Sequence, residues 1–139
     1  MSATVVWKKG MSFTATGHTS GFTVPLDADP KSGGENEGFR PTELLLVGLA
    51  GCTAMDVISI LQKKRQQVSA FEVKADGERA ESDPKRFTRF TVEYIVTGKK
   101  IDAAAVERAV ELSETKYCSV MATLRFAGSV ERKITILEG

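Results

Sequence analysis

LLLVGLAGCTAMDVISIL, residues 44–61, reads as the apolar stretch of one long helix, but its middle holds Gly48, Gly51, Cys52 and Asp56. A glycine inside a helix costs about 1 kcal/mol relative to alanine, and a buried aspartate is expensive unless paired. The flanks still define a helix. Pro41 suits the first helical position, Glu43 lies in the first turn where negative charge is favoured, and KKR at 63–65 places positive charge near the end. Read from Pro41 to about Gln67, the helix has about 25 residues and a length near 40 Å. A rod of that length spans a small domain, which predicts a central element.

Strand patterns surround it. TVVWKK (4–9), MSFTATG (11–17) and GFTVPLD (21–27) alternate, with Gly10 as a hairpin turn. ADPKSGGENEGFR (28–40) is rich in Gly, Pro, Asp and Asn and reads as a surface loop. Beyond the helix, AFEVKADGE (70–78) alternates Phe71, Val73 and Ala75 with charged residues. RFTVEYIVTG (89–98) puts Phe90, Val92, Tyr94 and Val96 on one face. With ESDPKR (81–86) as the turn, the two form a hairpin of a half-covered sheet. Asp102 is the expected cap of a second helix, with Ala105, Val106, Ala109, Val110 and Leu112 as its apolar stripe. CSVMATLRF (118–126) predicts a short third helix capped by Ser119, and a last strand is expected at about 129–137. These elements predict an α+β fold.

The totals narrow the function classes. The chain has 139 residues, enough for a single domain with a real core. Its 19 basic and 18 acidic side chains leave a net charge of +1, which gives no support to nucleic-acid or membrane-surface binding. The uncharged apolar run at 44–55 is too short to span a bilayer and is closed by Asp56. MSATVVWKKG at the start has no basic segment followed by an apolar one, so a cytoplasmic location is expected. Two cysteines and one histidine are too few soft or imidazole ligands for a metal site, so none is expected.

Cys52 has Gly48, Leu49, Met55 and Asp56 as its neighbours one helical turn away. The small residues Gly48, Ala50, Gly51 and Ala54 strip bulk from around the sulfur. Close helix packing and a substrate pocket both fit that pattern. Cys118 precedes a helix start, where the dipole favours a thiolate; the buried end of a linker fits its position equally. One thiol on the central helix and one at a helix start suit an attacking and a resolving sulfur. Spacing alone leaves open whether they meet.

RPTELLLVGLAGCTAMDVISIL (40–61), with KYCSVMATL (116–124) downstream, resembles the OsmC/Ohr family of thiol-dependent hydroperoxide reductases, and the resemblance covers most of the chain. It implies one domain over residues 1–139 and an intertwined homodimer, with antiparallel sheets wrapped around long central helices. It also implies reduction of organic hydroperoxides to alcohols, with no cofactor and with a dithiol as reductant. Under it Cys52 corresponds to the peroxidatic cysteine and Cys118 to the resolving one, joined as a disulfide in the oxidised state. Glu43, in PTELL, matches the glutamate that pairs with an essential arginine beside the sulfur. At 1.5 Å and about 100° per residue, Glu43 lies half a turn off Cys52 and roughly 13 Å along the axis. On a straight helix the two cannot share a site, so Glu43 is expected to serve Cys52 from the partner chain.

No arginine precedes Arg40, which makes Arg40 the candidate for the activating cation, with Lys8, Lys9 and His18 as the other positive or titratable groups. A thiol needs such a neighbour because its unperturbed pKa is about 8.5. Asp56 disfavours a thiolate if it faces the sulfur. A structural role is therefore expected for it, held by a lysine, a backbone donor or the dimer partner. Leu49 and Met55, with strand phenylalanines, are the expected lining of an apolar pocket. Two other readings stay open: a non-catalytic dimer that binds a small apolar ligand, and a redox sensor using the same disulfide.

Overall fold

A computed structural model describes all residues, Met1–Gly139. The chain divides into two compact units, Met1–Leu45 and Leu46–Gly139.

In Met1–Leu45, β1 (Ala3–Lys9), β2 (Ser12–Gly17) and β3 (Thr23–Leu26) form an antiparallel sheet in that order. Gly10 makes the β1–β2 turn at φ 52°, a left-handed conformation that glycine adopts without strain. The loop after β3 is organised by Asp27, whose buried carboxyl accepts backbone N–H groups from Ala28, Glu35 and Glu37 at 2.8–3.0 Å. Those bonds, the Glu37 one foremost, hold its pKa below the ordinary value. The loop closes where Pro41 starts α1 (Pro41–Lys63), and the Glu43 carboxyl accepts the Arg40 N–H at 2.9 Å. That is the returning half of a capping box.

In Leu46–Gly139, β4 (Gln67–Arg79) and β5 (Phe87–Lys99) form the expected hairpin. β6 (Ser129–Glu138) joins the free edge of β5 in parallel, so this sheet is mixed rather than purely antiparallel. A parallel neighbour needs a long crossover, supplied by α2 (Ala103–Leu112), the turn Ser113–Tyr117 and α3 (Ser119–Leu124). Phe90, Val92, Tyr94 and Val96 are all fully buried on one sheet face. They share a core with Leu49, Val57 and Leu61 of α1 and Val106, Ala109 and Val110 of α2.

Two boundaries differ from the sequence expectation. α1 ends at Lys63 instead of near Gln67. Arg65 turns left-handed at φ 55°, and the N–H groups of Arg65 and Gln66 return to the carbonyls of Gln62 and Leu61. This is a Schellman stop with arginine where glycine is usual. Asp102 caps α2 as expected, accepting the Ala104 N–H at 3.0 Å. α3 is capped by Cys118 and not by Ser119: Cys118 holds the extended cap conformation, and its sulfur accepts the Met121 N–H at 3.3 Å. By length and composition α1 is also apolar enough to cross a membrane. The uncharged run underestimated it, because Asp56 interrupts the run without ending the helix. Leu49, Thr53, Val57 and Leu61 nevertheless form its buried face.

Candidate functional site

Cys52 and Asp56 stand one turn apart on α1, so their side chains stack on one side of the helix. Cys118 reaches them from the start of α3. It is delivered by the wide turn Ser113–Tyr117, which closes with a bond from the Cys118 N–H to the Ser113 carbonyl at 2.9 Å. That i→i+5 spacing adds a residue to the helical turn, a distortion common at functional sites. The sulfurs of Cys52 and Cys118 and a carboxyl oxygen of Asp56 all lie within 4.8 Å of one another. Both cysteines are free thiols; Cys52 is half-buried, and Cys118 is 3% exposed. Burial first, and then the neighbouring Cys52 thiol, push the Cys118 thiol up to about 12. The expectation that the helix dipole makes Cys118 a thiolate is therefore corrected: six residues of α3 do not offset desolvation.

Behind the sulfurs runs a chain of buried hydroxyls. Tyr94 OH lies 2.9 Å from Thr53 Oγ1, which lies 2.8 Å from Ser113 Oγ, and Ser113 donates to Asp56 Oδ2 at 2.9 Å. Each hydroxyl has one proton. With Asp56 as the terminal acceptor, the bonds all run one way: Tyr94 donates to Thr53, Thr53 to Ser113, and Ser113 to Asp56. Burial raises the Tyr94 phenol to about 12, so it stays a donor. Asp56 thus finds its partner in the Ser113 hydroxyl, where a lysine, a backbone donor or a second chain was expected. Its carboxyl also stands with the sulfurs. Beside it opens a groove of about 260 Å³ lined by Asp56, Ser59, Ile60, Lys63, Leu112 and Tyr117.

Thr53, Ser113 and Tyr94 were not among the sequence-derived candidates. The available signal was Tyr94, a phenol in an otherwise apolar strand face that had to find a partner when buried. A count of cysteine and histidine also overlooked Asp56 as a third donor beside the thiols. Leu49 is sealed in the core and lines no open pocket, whereas Met55 is 74% exposed.

The remaining candidates belong to Met1–Leu45. The Arg40 guanidinium donates to the Gly38 carbonyl at 2.9 Å, to the Asp27 carbonyl at 3.4 Å and to Asn36. Glu43 meets the backbone of Arg40, not its guanidinium. Lys9 pairs with Glu35 at 3.4 Å, and His18 bonds Thr4 at 2.6 Å.

The family model for OsmC-like proteins matches residues 34–133. Protein YhfA of Escherichia coli K12 is 40% identical over 137 residues, covering 99% of this chain and 98% of that protein. A hypothetical protein from Aquifex aeolicus VF5 superposes with a TM-score of 0.85 at 28% identity, covering 99% of this chain and 96% of that one. An organic hydroperoxide resistance protein from Legionella pneumophila shares the fold alone, with a TM-score of 0.69 at 14% identity over 96% and 95% of the two chains.

Proposed function

The chain belongs to the OsmC-like protein family, and we propose that it is a thiol-dependent peroxidase that reduces organic hydroperoxides to alcohols. The observation that carries this reading is the juxtaposition of a half-buried Cys52 with a buried Cys118, their sulfurs within 4.8 Å. Membership of the OsmC-like family supports the substrate class, which the resemblance to the OsmC/Ohr family implies.

The Cys52 sulfur, the more accessible of the two, attacks the hydroxyl oxygen of ROOH. The O–O bond breaks, the alkoxide takes the proton that the Cys52 thiol gives up and leaves as ROH, and Cys52 becomes a sulfenic acid. The Cys118 sulfur then attacks the Cys52 sulfur; the sulfenic oxygen leaves as water with the thiol proton, and a disulfide remains. A bridge of about 2.05 Å requires the sulfurs to close by less than about 3 Å. A dithiol reductant returns both to thiols, which suits a reducing cytoplasm. Cys118, protonated at neutral pH, carries the proton that the departing oxygen needs.

In this reading the protein works as a homodimer. Val47 and Met55 on α1 are exposed in the single chain, and a partner helix covers them. Arg40 and Glu43 then act on Cys52 from the partner subunit, where the length of a single helix is no obstacle.

The test treats reduced protein with one equivalent of cumene hydroperoxide or hydrogen peroxide, counts free thiols and maps bridges by mass spectrometry. Expected are faster loss with cumene hydroperoxide, a single Cys52–Cys118 bridge, and no loss in Cys52→Ser. Equal slow loss in that variant refutes the proposal. With excess dithiol, many turnovers mark an enzyme, and a single oxidation event marks a sensor.

A further inference from the structure

We propose that the reduced chain carries a binding site for a soft divalent cation of the zinc class, held by the sulfurs of Cys52 and Cys118 and a carboxylate oxygen of Asp56. Tetrahedral zinc holds sulfur at about 2.3 Å and carboxylate oxygen at about 2.0–2.2 Å, which sets two bound sulfurs about 3.8 Å apart. The three donor atoms already lie within 4.8 Å of one another, so a contraction of at most about 1 Å closes the set. Two thiolates select soft or borderline metals over magnesium and calcium, which prefer all-oxygen ligands.

The surroundings have the features of a supported metal site. The Cys118 sulfur accepts the Met121 backbone N–H at 3.3 Å, a bond that a metal-bound thiolate keeps. Asp56 is oriented by Ser113, which is fixed in turn by Thr53 and Tyr94. Outer partners of this kind hold a ligating carboxylate in place. The groove beside Asp56 gives that carboxylate access from solvent, and a water completes such a three-ligand set. On binding, each thiol releases its proton to solvent. Two thiolates, one carboxylate and a dication leave one net negative charge, and Lys63 lines the same groove. The cation and the disulfide need the same sulfurs, so they exclude one another. Oxidation releases the metal, and the metal shields the thiols from oxidation.

The inference stands on these three side chains and holds whether or not the protein turns over peroxide. Reduced protein is titrated with zinc against a colorimetric indicator, and separately with cobalt. Expected are one zinc retained per chain and a near-ultraviolet sulfur-to-cobalt charge-transfer band. Both vanish in Cys52→Ser and after oxidation with diamide. Asp56→Asn weakens zinc binding at least about tenfold. Should that variant fail to fold, X-ray absorption of the wild-type zinc adduct decides the point by reading two sulfurs and at least one oxygen. No retained zinc, equal binding by the Cys52 variant or the oxidised protein, or a sulfur-free spectrum overturns the proposal. Thiol loss to cumene hydroperoxide in metal-free, chelator-treated protein reports on the peroxidase reading alone, so the two fail separately.

Discussion

Ser113→Ala tests whether the buried hydroxyls act as a directed chain. Ser113 makes two bonds, donating to Asp56 at 2.9 Å and accepting from Thr53 at 2.8 Å. A neutral buried hydrogen bond contributes about 0.5–1.5 kcal/mol, and one to a charged group about 1.5–3. Losing both costs about 2–4 kcal/mol, and alanine's better helix propensity, about 0.5 kcal/mol, offsets little of it. Tyr94→Phe removes only the first donor and leaves Thr53 bonded to Ser113, so its cost is about 0.5–1.5 kcal/mol.

Urea denaturation followed by far-ultraviolet circular dichroism separates the two. With a slope near 2 kcal/mol per molar, the midpoint falls by about 1–2 M in Ser113→Ala and by about 0.3–0.7 M in Tyr94→Phe. Equal shifts, or a Ser113→Ala cost below about 1 kcal/mol, would falsify the one-way assignment that ends at Asp56.

Three further outcomes are expected. The Cys118 thiol, lifted by burial from its ordinary value to about 12 in the fold, contributes stability that is complete below its unfolded pKa of about 8.5 and drains away as pH rises from there toward 12. The urea midpoint should therefore fall between pH 7 and pH 10.5, and fall less in Cys118→Ala; parallel curves would sink the assignment. Arg65→Gly relieves a left-handed residue at φ 55° and should raise stability by roughly 0.5–1 kcal/mol in thermal melts, a loss being the contrary result. A Cβ at Gly51 meets nothing within 4 Å in its own chain, so in Gly51→Leu the fold should persist while sedimentation shifts from dimer to monomer; an unchanged dimer refutes the proposed α1–α1 contact.

Alternation and capping carried most of the second unit's fold, through the period-two face at Phe90, Val92, Tyr94 and Val96 and the Asp102 cap, and Pro41 marked the start of α1. The parallel pairing of β6 was not legible, because it depends on which edge of β5 the crossover reaches. The end of α1 was missed because its stop signal is a left-handed arginine, and sequence reading looks for glycine there. Cys52 and Cys118 stood out as rare residues in telling places. Asp56, Thr53, Ser113 and Tyr94 are common residues, and their meaning comes from a hydrogen-bond chain that joins α1, β5 and the turn after α2. No spacing rule encodes that closure.

The centre of α1 can now be judged by its two faces. A helix that is apolar all round belongs inside something, yet only Leu49, Thr53, Val57 and Leu61 of α1 are buried in the chain. Val47 is 51% exposed, and the space beyond Gly48 and Gly51 is open. Those glycines therefore serve no contact within the chain, and their cost in helix stability has to be offset elsewhere. In the proposed homodimer they let a second backbone approach beside Cys52. The polar members of the same stretch, Thr53 and Asp56, join Ser113 and Tyr94 in the hydroxyl chain, and the Asp56 carboxyl at its end stands with the two sulfurs. Gly48, Cys52 and Asp56 follow one another at four-residue spacing, so the departures from an ideal core helix meet at the Cys52 sulfur, with open space before it and the end of the hydroxyl chain after it.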